Sequence, residues 1–303
     1  MKNLIIFNGA AGEGAAAARF EEIKKEFEGM DHEIHLTTAP KEAITFIRNY
    51  LEANKGEKVR IYACGGDGTV HECANGMVGY DNAELAIFAI GTGNDFVKYY
   101  GGAEKFLDLK KLMKAKSHPV DLTKIEGPSL DEPLYSINVI NFGFDAVVGA
   151  VGNKNKEKGK KKPYDKAIPV AIMKARFNKI IVTADGEQLN KKKMLLCTLA
   201  HGRFVGGKFM CAPHSINDDG LIDVCLLKTR CLFAFLGILG PYTEGKHLDT
   251  PKYRKTLEYR RSKVIDIKAP KDVDICVDGE MIRGSEFKAT SMPGAIKLVI
   301  PGE

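Results

Sequence analysis

Apolar runs alternate with helix-compatible segments along the first third of the chain. Each run has the length of a buried strand, and each is followed by a segment with helical spacing. The predicted strands are Leu4 to Phe7, Ile34 to Leu36, Val59 to Cys64 and Leu85 to Ile90; the predicted helices are Ala15 to Phe27, Glu42 to Leu51, Val70 to Met77 and one after Gly93. Repeated β-α order predicts a parallel sheet with helices on both faces, which binds ligands at the carboxyl ends of its strands.

From about Val120 the pattern changes to strand-like runs separated by turn residues. These runs are Leu134 to Val139, Lys179 to Thr183, Met194 to Ala200, Leu221 to Leu227, Val264 to Ile267, Asp274 to Val277 and Ala295 to Ile300. We predict one helical interruption, around Leu232 to Leu239. The fold class is therefore an α/β N-terminal domain with a parallel sheet plus a β-rich, mostly antiparallel sandwich as the second domain.

Glycine-rich turns follow three of the predicted parallel strands: Asn8 to Gly12, Gly65 to Thr69 and Gly91 to Asp95. Glycine allows the backbone to approach a ligand closely, and the helix start after Gly65 to Thr69 offers unpaired N–H groups to an anion. A carboxylate such as Asp67 in this setting needs a metal ion, a hydroxyl group or a structural donor beside it. A plain strand-to-helix turn, with Asp67 or Thr69 as the N-cap, is the alternative.

The bulk composition narrows the function classes. The net charge is +6, and a basic run extends from Lys154 to Lys166. No aromatic residue is interleaved with its lysines up to Lys162, which precede Pro163 and Tyr164, so nucleic acid is not a predicted partner. The apolar stretch at the N-terminus is too short for a signal peptide, and no apolar run reaches the length of a membrane span. We therefore expect a cytoplasmic protein.

Neither of the two familiar phosphate-binding patterns is present. The P-loop and the Rossmann glycine pattern both lack their required residues in this chain. Phosphoryl transfer from a nucleotide can still be supported by a turn of backbone amides with nearby carboxylates that hold Mg²⁺.

Two of the glycine turns together resemble a known family. Gly65-Gly66-Asp67-Gly68-Thr69 followed by Gly91-Thr92-Gly93-Asn94-Asp95-Phe96 is similar to the catalytic domain of diacylglycerol kinases and their bacterial lipid kinase relatives, a group that includes sphingosine and ceramide kinases. Pro213 to Leu221 and Val277 to Glu280 resemble two segments of the second domain of those enzymes. The resemblance covers essentially the whole chain. It implies a nucleotide-binding domain of the NAD kinase/diacylglycerol kinase type at residues 1–125 and a domain that binds the lipid substrate and a metal at residues 126–303. Whether the extreme C-terminus returns to the first domain is left open.

The resemblance also implies which residues bind ATP. They are Asn8, Gly9, Ala10, Ala11, Gly12, Thr37, Gly65, Gly66, Asp67, Gly68, Thr69, Glu72, Gly91, Thr92, Asn94 and Asp95. A structural Mg²⁺ is expected at Asp219 with the carbonyl groups of Ile216 and Leu221, with Asp218 as the alternative carboxylate.

The general base is expected from Asp278 and Glu280, with Asp67 linked to them through metal or water. A lipid hydroxyl is a poor nucleophile at neutral pH, so a carboxylate must accept its proton. Which carboxylate does so stays open at this point.

These implications describe an ATP- and Mg-dependent lipid kinase that phosphorylates a hydroxyl group of diacylglycerol or a related membrane lipid. Such an enzyme visits the inner face of the bilayer as a peripheral protein, and we predict that Lys154 to Lys162 contribute to that contact. An NAD kinase is the first alternative, but Gly91 to Phe96 favours the lipid branch. The second is a non-catalytic lipid or nucleotide binder, against which the retained carboxylates argue. Whether the chain forms a homodimer is left open.

Overall fold

The computed structural model describes residues 1–157, 179–191, 194–228 and 232–302. The chain divides into two compact units. Unit 1 comprises Met1–Leu122 and Pro293–Glu303, and unit 2 comprises Thr123–Met292.

Unit 1 is built on a parallel sheet. Its strands are β1 (Lys2–Phe7), β2 (His32–Leu36), β3 (Val59–Gly65) and β4 (Ala83–Ala89), in the order β2-β1-β3-β4. Its helices are α1 (Phe20–Glu26), α2 (Glu42–Ala53), α3 (Asp67–Met77) and α4 (Leu109–Lys114), with 3-10 helices at Ala11–Arg19, Phe96–Tyr100 and Ala103–Phe106. The last residues of a long strand, which we call β16 (Glu280–Val299), add to β4 in parallel through Leu298 and Val299.

The predicted parallel sheet is confirmed, and its core explains why. All of β3 is buried, and α2 buries Ala43, Ile47 and Leu51, which recur every four residues along one face. The predicted helix Ala15 to Phe27 was wrong in its first half, where a 3-10 helix stands. Gly12 and Gly14 have positive φ angles of 60° and 93°, which a regular α-helix does not accommodate.

Unit 2 is mostly antiparallel. Its strands include β5 (Ser117–Glu126), β6 (Leu134–Ser136), β7 (Val139–Gly143), β8 (Ile181–Ala184), β9 (Glu187–Gln188), β10 (Leu196–Ala200), β11 (Phe204–Val205), β12 (Phe209–Met210), β13 (Ile222–Leu227), β14 (Leu257–Ser262) and β15 (Val264–Val277). The order β14-β13-β10-β7-β15 is antiparallel throughout, β16 pairs with β15, and β11 with β12 forms a separate hairpin. Its helices are α5 (Phe144–Glu157) and α6 (Leu232–Thr243), with a 3-10 helix at Pro251–Tyr253. The β-rich second domain is thereby confirmed.

The structure corrects several of the predicted elements of unit 2. The predicted strand Leu134 to Val139 is divided between β6 and the start of β7. Helix α5 was not predicted, although Val147 and Val148 pack on a cluster of buried residues that includes Leu195 and Leu196. The predicted strands Val264 to Ile267 and Asp274 to Val277 are one strand, β15, whose pairing with β16 shifts between Lys268 and Val273. That irregularity interrupts the apolar alternation on which strand prediction depends.

None of the helices in the described ranges is long and apolar enough to cross a membrane. The basic run Lys154 to Lys162, predicted to approach the bilayer, lies outside the described residues from position 158 onward.

An aspartate in the first turn of α5 gives unit 2 a pH-dependent stability. Burial raises the pKa of Asp145 to about 6, and the hydroxyl of Tyr242 lies 3.4 Å from its carboxyl group. An aspartate in the unfolded chain has a pKa of about 3.9. Between about pH 4 and 6, Asp145 therefore ionises in the unfolded state but stays protonated in the folded state, so the free energy of unfolding falls as pH rises. Between pH 4 and pH 7, we expect the free energy of unfolding of the wild type to fall by about 2–3 kcal/mol more than that of Asp145→Asn. Urea unfolding at both pH values would measure the difference. An identical pH dependence in wild type and variant would contradict this.

Candidate functional site

The three glycine-rich turns lie together at one edge of the unit 1 sheet. They follow β1, β3 and β4, which are neighbours in the sheet. The side-chain amide of Asn8 donates to Thr69 Oγ1 at 3.2 Å, and the N–H of Ile90 donates to the carbonyl oxygen of Gly65 at 3.0 Å. The parallel topology has therefore brought residues from distant parts of the sequence into one cluster.

Glycine is required where two of these turns touch. A Cβ atom on Gly91 would lie 2.2 Å from the Cα of Gly66, and one on Gly65 would lie 2.1 Å from Thr69 Oγ1. Around Gly68, in contrast, an added Cβ would meet no atom within 4 Å. The turns are thus packed against each other on one side and open at Gly68.

Asp67 links the second turn to the third. Its Oδ1 accepts a hydrogen bond from the N–H of Phe96 at 3.1 Å, while its Oδ2 lies 2.9 Å from the position that a Cβ on Gly93 would take. Asn94 has a φ of 48°, and its amide donates to the carbonyl oxygens of Gly91 at 2.8 Å and Ala89 at 3.2 Å. Asp67 therefore has the structural donor that its position among anion-binding groups requires.

Helix α3 begins at Asp67 without a side-chain cap. Its N-cap residue is Gly66, so the N-cap assigned to Asp67 or Thr69 in the alternative prediction was wrong. The first N–H groups of a helix lack partners within the helix and carry a partial positive charge. With the open space at Gly68, this helix start is suited to bind an anion.

The other residues predicted to line ATP have mixed surroundings. Thr92 is exposed, and Thr37 donates its N–H to the carbonyl oxygen of Phe7 at 3.0 Å. The carboxylate of Glu72 accepts the N–H groups of Lys41 and Ala43 at the start of α2, at 2.9 and 3.3 Å.

Four further members of that set contribute to the turns themselves. Asp95 accepts a hydrogen bond from Lys98 at 2.6 Å. The N–H of Ala10 donates to Asn8 Oδ1 at 3.1 Å, and Gly12 has a positive φ of 60°. Asp95, like Glu72, is therefore paired with a protein group.

In unit 2, Asp278 and Gly279 form a tight turn between β15 and β16. Their φ angles are 50° and 101°, and Val277 pairs with Glu280 across the turn. Positive φ at both central residues is the geometry of a type I′ hairpin turn, for which Asp-Gly is a favoured sequence.

The carboxylate of Asp278 is held by four donors from one segment. It accepts hydrogen bonds from Ser136 Oγ at 2.7 Å and from the N–H groups of Val139 at 2.8 Å, Ile137 at 2.9 Å and Asn138 at 3.1 Å. The N–H of Asp278 in turn donates to the carbonyl oxygen of Val139 at 3.0 Å. This carboxylate therefore anchors the hairpin to the segment 136–139.

Glu280 has different surroundings. It is half-buried at the start of β16, and its side chain makes no hydrogen bond or ion pair with any of the described residues. Of the two carboxylates predicted as a pair, Glu280 is thus the one with oxygen atoms available to a substrate.

Asp278→Asn is expected to destabilise the protein by about 2–4 kcal/mol, because an amide cannot accept from donors that converge on both oxygens. Urea unfolding would measure the change. Asp274→Asn on β15 is the matched control, since Asp274 contacts only the exposed Arg283 among the residues described. Equal stability of the two variants would show that the four hydrogen bonds do not anchor the hairpin.

The loop with the predicted metal ligands lies before β13. Asp219 Oδ1 accepts the N–H of Leu221 at 3.0 Å, and its Oδ2 pairs with the guanidinium group of Arg261. The N–H of Ile216 bonds to Asp223; burial raises the pKa of Asp223, and its hydrogen bond from Tyr259 opposes that rise. No group of three or more His, Cys, Asp or Glu side chains is placed to hold a metal ion in the described ranges. With one oxygen on the N–H of Leu221 and the other on Arg261, the Asp219 carboxylate as placed does not fit a divalent cation.

Sequence reasoning missed the segment 136–139 and Arg261. The segment acts mainly through backbone N–H groups, which leave no trace in residue identity, and the pairing of Arg261 follows from the register of β13 with β14. The preference of Asp-Gly for hairpin turns was the one available signal, since it assigns Asp278 a backbone role.

Two family models match the chain. The model described as diacylglycerol kinase catalytic domain matches residues 2–125, and that of the YegS C-terminal NAD kinase beta sandwich-like domain matches residues 138–300.

Similar proteins extend over nearly the whole chain. A "Probable lipid kinase YegS-like" of Pseudomonas fluorescens is 27% identical over 280 residues, covering 90% of this chain and 87% of that protein. A "Diacylglycerol kinase" of Bacillus subtilis is 26% identical over 286 residues, covering 91% and 88%. A crystal structure of a diacylglycerol kinase from Bacillus anthracis superposes with a TM-score of 0.71 at 21% identity, covering 99% and 97%, and so shares the fold. The chain therefore belongs to the diacylglycerol kinase catalytic-domain family, with the C-terminal domain of the YegS type.

Proposed function

We propose that the protein is a lipid kinase that transfers the γ-phosphate of ATP to a hydroxyl group of diacylglycerol or a related membrane lipid. The observation that carries the proposal is the linkage of two glycine turns by Asp67 beside the open start of α3. Membership of a kinase family and the names of the curated relatives support it.

The phosphates of ATP are assigned to unit 1. The N–H groups at the start of α3 and in the turns Gly65 to Thr69 and Gly91 to Asp95 would hold them, since both features favour anions. Mg²⁺ bound with ATP would neutralise phosphate charge, and Asp67 is the residue proposed to hold it.

Glu280 is proposed as the general base. Its carboxylate accepts the proton of the lipid hydroxyl while the hydroxyl oxygen forms its bond to the γ-phosphorus. The bond between that phosphorus and the oxygen of the leaving ADP breaks in the same transfer. Asp278 holds the turn that precedes Glu280. Asp278 is therefore proposed to position Glu280, and Glu280 to accept the proton.

Contact with the membrane is proposed to be peripheral. The net charge of +6 favours an anionic surface, where each Lys or Arg contributes about 1 kcal/mol. Neutralising Lys154 to Lys162 is expected to weaken binding to anionic vesicles.

The test uses ATP labelled on its γ-phosphate, Mg²⁺ and a panel of acceptors. The panel holds diacylglycerol, other membrane lipids with free hydroxyl groups, and NAD. We expect labelled diacylglycerol or a close relative, identified by mass, and no NADP. Label on NAD alone, or on no acceptor, would refute the proposal.

A further inference from the structure

The guanidinium group of Arg261 lies between two carboxylates of unit 2. It pairs with Asp219 Oδ2 through Nη2, and its Nε lies 3.8 Å from Asp223 Oδ2. The Asp223 side chain is wholly buried, and those of Asp219 and Arg261 are 23% and 32% exposed. Both carboxyl groups of this cluster therefore lie on the same side of β14 as the guanidinium group of Arg261, which pairs with Asp219.

The β13–β14 ladder fixes this arrangement. Arg261 is the direct partner of Asp223 in the antiparallel register, and Tyr259, two residues earlier on the same face, donates its hydroxyl to Asp223 Oδ1. Arg260 points to the opposite face, where it pairs with Glu187 and Glu258. The position of the Arg261 guanidinium thus follows from strand register.

Asp219 is in turn part of the loop's own structure. Its other oxygen accepts the N–H of Leu221, while Asp223 bonds to the N–H of Ile216, at the far end of the loop. Arg261 therefore connects the Asp219 end of the loop 216–221 to β14, while Asp223 holds the Ile216 end to β13. The Asp219 carboxylate already has a positive partner in Arg261, and a divalent cation placed here would be repelled by the guanidinium group.

We infer that Arg261 takes the place of a metal ion in fixing the loop 216–221. The loop is then organised by a cation that is part of the chain. This inference concerns the loop alone and does not depend on the proposed kinase activity, whose Mg²⁺ would arrive with ATP.

The test measures thermal unfolding without nucleotide, in EDTA and in 5 mM MgCl₂ (about the level at which weak sites fill). Wild type, Arg261→Met and the matched control Arg260→Met are compared. Wild type and Arg260→Met should unfold at the same temperature in both buffers. Arg261→Met should unfold about 5 °C lower in EDTA and recover part of that loss in MgCl₂, because its freed carboxylates can now bind the ion.

Three results would overturn the inference. The first is a rise in the wild-type unfolding temperature with MgCl₂ that Asp219→Asn abolishes. The second is an equal unfolding temperature for Arg261→Met and Arg260→Met in EDTA. The third is an unfolding temperature of Arg261→Met that is the same with and without MgCl₂. Should Arg261→Met fail to fold, titration of MnCl₂ into wild type decides the question. Binding that Asp219→Asn abolishes would refute the inference, and its absence is the expected result.

Discussion

Replacing Glu280 with glutamine is expected to lower kcat by about 10²–10⁴-fold, the range that a positioned general base contributes. Glutamine keeps the size of the side chain but cannot accept the proton of the lipid hydroxyl. Because the Glu280 side chain makes no hydrogen bond or ion pair with the described residues, loss of its carboxylate should leave the unfolding midpoint unchanged. This combination separates Glu280 from Asp278, whose replacement should lower stability.

Glu286→Gln is the matched control for this prediction. Glu286 lies on the same strand, β16, and makes an exposed ion pair with Lys268. Its variant should keep wild-type kcat, measured with labelled ATP and dispersed diacylglycerol. A Glu280→Gln enzyme that retained more than about a tenth of wild-type kcat would exclude Glu280 as the base.

Replacing Gly91 with alanine is expected to weaken ATP binding by about 5- to 100-fold. The new methyl group would lie 2.2 Å from the Cα of Gly66, so the two turns must separate. Forced overpacking costs about 1–3 kcal/mol, and the displaced backbone belongs to the proposed phosphate site. Binding can be measured by calorimetric titration of ATP.

Gly56→Ala serves as the control, because a Cβ at Gly56 would meet no atom within 4 Å. It should bind ATP as wild type does. Unchanged affinity in Gly91→Ala would show that the contact between Gly66 and Gly91 is unrelated to nucleotide binding.

The sequence predicted the parallel sheet and its turns well, because both depend on local pattern. Runs such as Val59 to Cys64 are long enough to identify a buried strand, and the turn after each strand can be located from its glycines. The confirmed fold class and family follow from features of this kind.

The roles of individual carboxylates depend on contacts that no local pattern contains. The donor Ser136 is 142 residues from Asp278, and only the pairing of β15 with β7 brings their segments together. The pairing of Arg261 with Asp219 likewise depends on strand register. Helix α5 was missed because its apolar face is recognisable only once its neighbours are known.

The pairing of the end of β16 with β4 affects where the chain can be cut to give a stable fragment. Leu298 and Val299 pair with Leu85 and Ala86. The edge of β4 that does not face β3 is therefore covered by residues that come after all of unit 2 in the sequence. A fragment ending near residue 125 would leave that edge without its partner strand, and uncovered strand edges recruit other chains. We expect such an excised fragment to self-associate, whereas one that also carries residues 293–302 through a linker would regain its missing neighbour. During biosynthesis, too, the sheet of unit 1 gains this strand only after every residue of unit 2 has been made.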